Sequence, residues 1–116
     1  MRNCLVIDLD RCSGCDGCVA ACKLENNVDL GVCYNRVHAV GPTGTFPDIE
    51  PYWIPLQCQQ CENPGCIEVC PTGASYRDEA TGVVLVNAEE CIGCESCLKG
   101  CPYNVRTLNP NTNVVE

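Results

Sequence analysis

The stretch that decides the fold is Glu90–Asn104, "ECIGCESCLKGCPYN", which places four cysteines at the spacing C-x2-C-x2-C-x3-C directly before a proline. Three of these cysteines fall within seven residues, so three thiols share one tight loop. Such a loop suits a common central ligand better than long-range disulfides. Gly93, inside the first C-x2-C, allows a positive φ and a close approach of backbone N–H groups to that ligand. The stretch therefore predicts a thiolate-bound inorganic centre.

Two further cysteine sets of this kind lie upstream, and the three sets together hold 12 of the 14 cysteines. The first set repeats the third at a shift of 79 positions, which places Gly14 on Gly93 and "LVIDLDRC" on "VLVNAEEC". We expect the two remaining cysteines, Cys4 and Cys33, to pack as small apolar side chains. The sets are Cys12, Cys15, Cys18 and Cys22; Cys58, Cys61, Cys66 and Cys70; and Cys91, Cys94, Cys97 and Cys101.

The composition narrows the class of protein. A net charge of −8 argues against a basic nucleic-acid surface, and no apolar run reaches membrane-spanning length. The N-terminus does not read as a signal peptide. We therefore expect a cytoplasmic location by default, or export bound to a signal-bearing partner and association with a membrane. Phe46 and Trp53 are the only large, purely apolar rings, so the core is thin and the cysteines must staple the fold.

Three interpretations of the cysteines compete. Disulfides belong to oxidising compartments, and no secretory signal is visible. Zinc sites use pairs of C-x2–4-C knuckles, often with histidine, but the single histidine, His38, lies outside every set. The run C-x2-C-x2-C-x3-C-P resembles that of bacterial ferredoxins, in which thiolates hold [4Fe–4S] cubanes. Iron–sulfur binding is favoured, and a zinc-binding structural module is the weaker alternative.

The ferredoxin resemblance also implies how the cassettes share their ligands. In two-cluster ferredoxins the cysteine before proline ligates the other cluster. The first cassette is then left without a partner cassette. Cys12, Cys15 and Cys18 would supply three ligands of an incomplete cluster site. Cys22 would ligate another cluster, whose other ligands are missing. The implied sets are cluster A with Cys58, Cys61, Cys66 and Cys101, and cluster B with Cys91, Cys94, Cys97 and Cys70.

The pattern of elements predicts a loop-rich α+β fold of small tandem bacterial-ferredoxin-like modules, with short strands and helical turns around [4Fe–4S] clusters. Strands are expected over 5–9 and 83–87, the latter in a hairpin that turns around Glu79–Gly82. Helical turns are expected around the last two cysteines of each set, stopped in two cases by proline. The predicted domains are a first cassette over 1–22, a partly stranded insertion over 23–57 with the Gly/Pro-rich "GPTGTFPDIEP", a two-cluster module over 58–102, and a C-terminal extension over 103–116.

Three motifs extend a further resemblance over nearly the whole chain: "CSGCDGCVAAC", "QCQQCENPGCIEVCPTGASY" and "CIGCESCLKGCPYNVR". Together they resemble the iron–sulfur subunit of the dimethyl sulfoxide reductase-type molybdopterin oxidoreductases. The resemblance implies four cysteine sets, a molybdenum or tungsten catalytic partner, and a membrane anchor or another electron carrier. Because the fourth set would begin shortly after "NPNTNVVE", we expect a truncated chain with at least two [4Fe–4S] clusters, and three or four in the full-length subunit.

No catalytic apparatus is visible in the sequence, which has neither a nucleophile–base pattern nor a dinucleotide-binding glycine motif. Clusters held by four thiolates leave no open coordination position for chemistry. The expected function is electron transfer within an oxidoreductase complex, without catalysis by this chain. A free-standing polyferredoxin that carries electrons by diffusion is the main alternative.

Overall fold

The computed structural model describes residues 4–116, so residues 1–3 of the first predicted cassette lie outside the described residues. The chain forms a few short helices and two separate antiparallel sheets of two strands each, β1–β2 and β3–β4. This agrees with the predicted mixture of short strands and helical turns. The elements are a 3-10 turn over Leu9–Arg11, α1 Gly17–Glu25, β1 Asn35–Thr45, β2 Asp48–Gln57, α2 Gly65–Glu68, β3 Ser75–Arg77, β4 Val84–Val86 and α3 Ser96–Lys99.

The helices differ in length because of the residue that follows the last cysteine of each set. Helix α1 runs through Cys22, because the residue that follows Cys22 is Lys23 rather than a proline. Cys70 and Cys101 each precede a proline, and a residue before proline avoids the α conformation. Helices α2 and α3 therefore end at Glu68 and Lys99, after four residues each. The two short helices pack against each other.

The insertion forms one long hairpin of β1 and β2, paired from Asn35↔Gln57 to Thr45↔Asp48. The strands continue through most of the Gly/Pro-rich "GPTGTFPDIEP" segment of this insertion. An irregularity between Val40 and Thr43 absorbs Pro42, and the chain reverses at Phe46–Pro47. Both strands of a two-stranded sheet are edges, so a proline can face outward without removing a ladder hydrogen bond.

The predicted strand over 5–9 was also wrong. The segment before Leu9 has no regular structure, and Asp8 caps the 3-10 turn by accepting a hydrogen bond from Asp10 N–H at 3.1 Å. Its repeat partner, β4, is a strand because it pairs with β3 in the predicted hairpin. No strand within residues 4–116 pairs with the first segment, and Val6 is 86% exposed. A strand needs such a partner to satisfy its backbone groups.

The core is as thin as the composition indicates. Phe46 contributes nothing to it, since it is 88% exposed at the tip of the long hairpin. Val115 reaches the core because residues 107–116 fold back: Thr107 and Glu116 exchange two backbone hydrogen bonds, and Leu108 forms a bridge with Val115. The buried apolar residues are Val32, Ala74, Val84, Cys97 and Val115.

Side chains attach this C-terminal segment to the loop that follows α1. Tyr34 Oη donates a hydrogen bond of 2.7 Å to Glu116 Oε2, and Asn109 Nδ2 donates one of 2.9 Å to Asp29 Oδ2. Burial, followed by the Glu116 carboxylate, raises the pKa of Tyr34 to about 12. The fold therefore favours the neutral, protonated form of the Tyr34 phenol.

Replacing Tyr34 with phenylalanine tests this attachment. Losing one hydrogen bond costs about 1 kcal/mol of unfolding free energy, which lowers the thermal midpoint by roughly 4 °C. The raised pKa stabilises the fold fully below the ordinary tyrosine pKa, and this contribution is lost as the pH rises toward 12. Circular dichroism melts at pH 8 and above pH 10 measure both effects. Tyr76→Phe, at an exposed tyrosine, is the control, and an equal loss of midpoint in both variants would contradict the assignment.

Candidate iron–sulfur centre

One cavity brings together cysteines from two cassettes. Its walls include Ala74, Val86 and Val115. Four soft thiol ligands in a largely apolar enclosure fit the ligand set of a [4Fe–4S] cubane. Cys101, although it belongs to the third cassette, does not line this cavity. The cysteines that line it are Cys70, Cys91, Cys94 and Cys97.

Cys101 lies instead beside the second cassette. Burial raises the pKa of the Cys66 thiol, the Arg106 guanidinium opposes this shift, and neighbouring Cys58 and Cys101 raise the pKa further. Cys66 is thus within electrostatic range of both of these cysteines, while Cys61 is half-buried on the Cys58 loop. Cys70 thus lies with cysteines of the third cassette, and Cys101 lies near Cys66 of the second.

Backbone N–H groups point at the sulfur atoms of the cavity. Ser75 N–H donates to Cys70 Sγ, and Val115 N–H donates to Cys91 Sγ, each at 3.5 Å. The Ser75 bond is the largest cause that lowers the pKa of Cys70 to about 7. Hydrogen bonds that favour the thiolate prepare a cysteine to bind metal, because the thiolate is the ligating form.

The helix starts of the repeated cassettes make equivalent contacts with the middle cysteine of each loop. Gly17, the first residue of α1, lowers the pKa of Cys15 through its backbone N–H. Ser96, the first residue of α3, lowers the pKa of Cys94 through its side chain, 3.5 Å from Sγ, and its backbone. The repeat found in the sequence is thus also a repeat of hydrogen bonding.

Each repeated loop is covered by a residue from a distant segment. Gly14 and Gly93 have φ values of +67° and +66°. A Cβ at Gly14 would overlap the Trp53 indole of β2, and one at Gly93 would lie 2.6 Å from the Asn113 carbonyl oxygen. Glycine is therefore required at both positions for its backbone conformation and for space.

The first cassette is more open than the other two. Cys15 and Cys18 are exposed, whereas Cys12 and Cys22 are half-buried. Cys22 Sγ accepts a hydrogen bond from Asn26 Nδ2 at 3.6 Å. The incomplete site on this cassette stays a prediction.

The two cysteines outside the cassettes differ from each other. Cys33 is half-buried, but Cys4 is exposed, so the prediction that Cys4 packs as a small apolar side chain was wrong. The cause is the same as for the missing strand, since the segment around Cys4 has no pairing strand within residues 4–116.

Several residues around the sites are not marked as such by any motif in the sequence. Ser75 and Arg106 lie within the motifs "CPTGASY" and "CPYNVR". The sequence therefore places them close to ligand cysteines along the chain, but it does not predict the hydrogen bonds that they make. Val115, Asn113 and Trp53 carry no local signal, because only long-range packing brings them to the loops.

Across residues 4–116, no group of three or more His, Cys, Asp or Glu side chains is arranged to hold a single metal ion, and the cavity cysteines fit a multi-iron cluster instead. In the same part of the chain, no helix has the length and apolar character needed to cross a bilayer.

The paired cysteine loops and the thiol-lined cavity define a protein that binds iron–sulfur clusters through cysteine. The family described as 4Fe-4S dicluster domain matches residues 49–116, and a second family, 4Fe-4S binding domain, matches residues 9–35. The chain belongs to the 4Fe-4S dicluster domain family, and its cofactors are [4Fe–4S] clusters. The iron–sulfur interpretation of the cysteines is therefore confirmed.

Curated relatives are similar over almost the whole chain. The arsenate respiratory reductase iron-sulfur subunit ArrB of Shewanella sp. (strain ANA-3) is 46% identical over 112 residues, which cover 97% of this chain and 47% of the relative. Protein NrfC of Escherichia coli (strain K12) is 40% identical over 116 residues, covering 100% and 52%. The thiosulfate reductase electron transfer subunit PhsB of Salmonella typhi is 44% identical over 110 residues, covering 94% and 57%. The chain spans about half the length of these relatives.

Replacing Gly93 with alanine tests the covered loop. The new Cβ meets the Asn113 backbone, so we expect less iron per chain and a lower thermal midpoint after anaerobic cluster reconstitution. Gly31→Ala is the control, because Gly31 also has a positive φ, +87°, but has nothing within 4 Å of the added Cβ. Left-handed strain alone costs about 1–2 kcal/mol. Equal losses of iron in both variants would contradict the role of the Asn113 contact.

Proposed function

We propose that this chain transfers electrons through [4Fe–4S] clusters as part of the iron–sulfur subunit of a molybdopterin-dependent oxidoreductase complex. The observation that carries the proposal is a cavity lined by cysteines from two cassettes. It is supported by the relatives, two of which are named as an iron-sulfur subunit and an electron transfer subunit of reductases.

The proposed ligands follow the grouping of the cysteines. Cys70 lines the cavity with the third cassette, and Cys66 lies near both Cys58 and Cys101, which supports ligands exchanged between cassettes. The first cassette would supply Cys12, Cys15 and Cys18 to a third cluster, and Cys22 to a further one. The sets for the two central clusters are Cys58, Cys61, Cys66 and Cys101 for cluster A, and Cys91, Cys94, Cys97 and Cys70 for cluster B.

This ligand exchange would explain how the elements are arranged around the two central clusters. Residues 58–102 would form a bacterial-ferredoxin-like module whose halves are joined by the clusters, with α2 and α3 in contact between them. The β3–β4 hairpin supplies Val86 to the wall of cluster B, and residues 103–116 fold back over it through Val115. Binding of the metal and folding of this module would then be coupled.

Electron transfer is the chemistry that such sites support. A bound cluster supplies iron that changes oxidation state while every iron keeps its thiolate and sulfide ligands. The chain's own groups hold the thiolates, donate hydrogen bonds to them and shield the site with apolar side chains. This chain would perform no catalysis itself, and the substrate would be converted by a molybdenum or tungsten subunit.

The proposed partners are that molybdopterin subunit and either a membrane anchor or another electron carrier. The net charge of −8 argues against a nucleic-acid partner. We propose a cytoplasmic location, or export with a signal-bearing partner to the membrane.

Anaerobic purification from the native source tests the proposal, with metal analysis and electron paramagnetic resonance (EPR). We expect a brown protein with iron, sulfide and EPR signals of reduced [4Fe–4S] clusters, co-purifying with a larger molybdenum- or tungsten-containing subunit. A brown, monodisperse monomer without a partner would support the free polyferredoxin instead. A colourless protein that contains zinc would overturn the iron–sulfur function.

The exchanged ligands predict which double substitutions are additive. Cys58→Ala and Cys101→Ala should disrupt the same cluster, so the double variant should keep as many intact [4Fe–4S] clusters as either single variant. Cys91→Ala and Cys101→Ala should disrupt different clusters, so that double variant should lose both. Spin integration of the EPR signals counts the intact clusters, and Cys33→Ala is the control outside the cassettes. The reverse pattern of additivity would show that each cassette keeps its own fourth cysteine.

A further inference from the structure

Two hydroxyl groups lie against cysteine sulfurs of the proposed cluster B site. Thr72 Oγ1 is 3.7 Å from Cys70 Sγ, and Ser96 Oγ is 3.5 Å from Cys94 Sγ. A hydrogen bond to sulfur is longer than one to oxygen because sulfur is the larger atom, so both contacts are hydrogen bonds. Both cysteines line the cavity described above, and Thr72 lines it with them.

A neighbouring backbone group orients the Thr72 hydroxyl. Ala74 N–H donates a hydrogen bond of 3.4 Å to Thr72 Oγ1, so the oxygen already accepts from that side. The hydroxyl proton is left for Cys70, whose sulfur also accepts a hydrogen bond from Ser75 N–H at 3.5 Å. A hydroxyl can accept and donate at the same time. Thr72 therefore adds a second donor to the sulfur of Cys70.

The direction of the Ser96 contact depends on the protonation state of Cys94. As a thiol, Cys94 donates its proton to Ser96 Oγ. A cysteine binds iron as a thiolate, which has no proton to donate. The serine hydroxyl is then the group that donates, since a hydroxyl can act in either direction.

The internal repeat shows that the backbone of this loop does not require a serine. A shift of 79 positions places Gly17 on Ser96, and each of these residues begins the helix that follows its cysteine loop. The residues before them, Asp16 and Glu95, have φ values of 56° and 59°. The first cassette thus makes the same helix start without a hydroxyl, which leaves the Ser96 side chain available for a role at the sulfur.

We propose that Thr72 and Ser96 are positioning residues that raise the reduction potential of cluster B through hydrogen bonds to two of its cysteine ligands. Each electron added to a cluster makes its thiolate sulfurs more negative, so a hydrogen bond to such a sulfur stabilises the reduced form more than the oxidised form. Hydrogen bonds to the sulfurs are among the factors that set cluster potentials. This inference rests on the proposed function and on the ligand set proposed for cluster B.

The test is an EPR-monitored redox titration of the anaerobically reconstituted full chain. Thr72→Val and Ser96→Ala remove the hydroxyl groups, whereas Thr72→Ser and Ser96→Thr retain them. The matched control is Thr112→Val, because Thr112 Oγ1 also accepts a hydrogen bond of 3.4 Å from the N–H two residues later, that of Val114. Within residues 4–116 the Thr112 hydroxyl forms no hydrogen bond with a sulfur. Cluster B is identified as the cluster whose signal Cys91→Ala removes.

We expect Thr72→Val and Ser96→Ala each to move the midpoint of cluster B to a more negative potential and to leave that of cluster A unchanged. The double variant should shift the midpoint further than either single variant, because the hydroxyls act on different ligands. Thr72→Ser, Ser96→Thr and Thr112→Val should keep the wild-type midpoint. An unchanged midpoint of cluster B in either hydroxyl-free variant, an equal shift of cluster A, or an equal shift in Thr112→Val would overturn the inference.

Iron content separates this role from a merely structural one. Midpoints are compared at equal iron per chain, and a variant that binds less iron is replaced by Thr72→Ala or by Ser96→Gly, which reproduces the first cassette at this position. If the variants without a hydroxyl lose cluster B while Thr72→Ser and Ser96→Thr keep it, the hydroxyls serve assembly and the inference is overturned. A wild-type chain without [4Fe–4S] signals would instead refute the proposed function, on which the inference rests.

Discussion

The structure depends on one backbone constraint: a residue that directly precedes proline avoids the helical conformation. Cys70 and Cys101 each stand directly before proline, and neither can continue the short helix that precedes it. Cys70 lines the cavity of the third cassette, and Cys101 lies near Cys66 of the second. The contact between α2 and α3 brings these two loops, which are distant in sequence, together in a chain with little apolar core.

The surroundings of the sulfur atoms come from the rest of the fold. The β3–β4 hairpin brings the Ser75 N–H to Cys70, and the folded-back C-terminal segment brings the Val115 N–H to Cys91. In the first cassette, the long hairpin places Trp53 over the loop instead. Elements that look peripheral to the cysteine motifs thus supply hydrogen bonds and apolar walls to the candidate cluster sites.

Strand pairing explains where the structure departs from the local preferences of the sequence. The segments 5–9 and 83–87 have similar sequences, yet only the second contains a strand, because only β4 has a pairing partner in the described chain. The segment "GPTGTFPDIEP" carries strong turn residues but remains paired, because each strand of a two-stranded sheet has a free edge for its prolines. Local composition describes what a segment tolerates, and pairing decides what it forms.

The sequence alone was sufficient to predict the three cassettes, their ligand chemistry, the repeat, the hairpin around Glu79–Gly82 and the helical turns stopped before proline. These features depend on spacing and on backbone preferences that act over a few residues. Tertiary structure decided that Trp53, Asn113 and Val115 cover the cysteine loops, and that Arg106 lies buried against Ser75. Those contacts join residues far apart in the chain, and their formation depends on packing that no local pattern encodes.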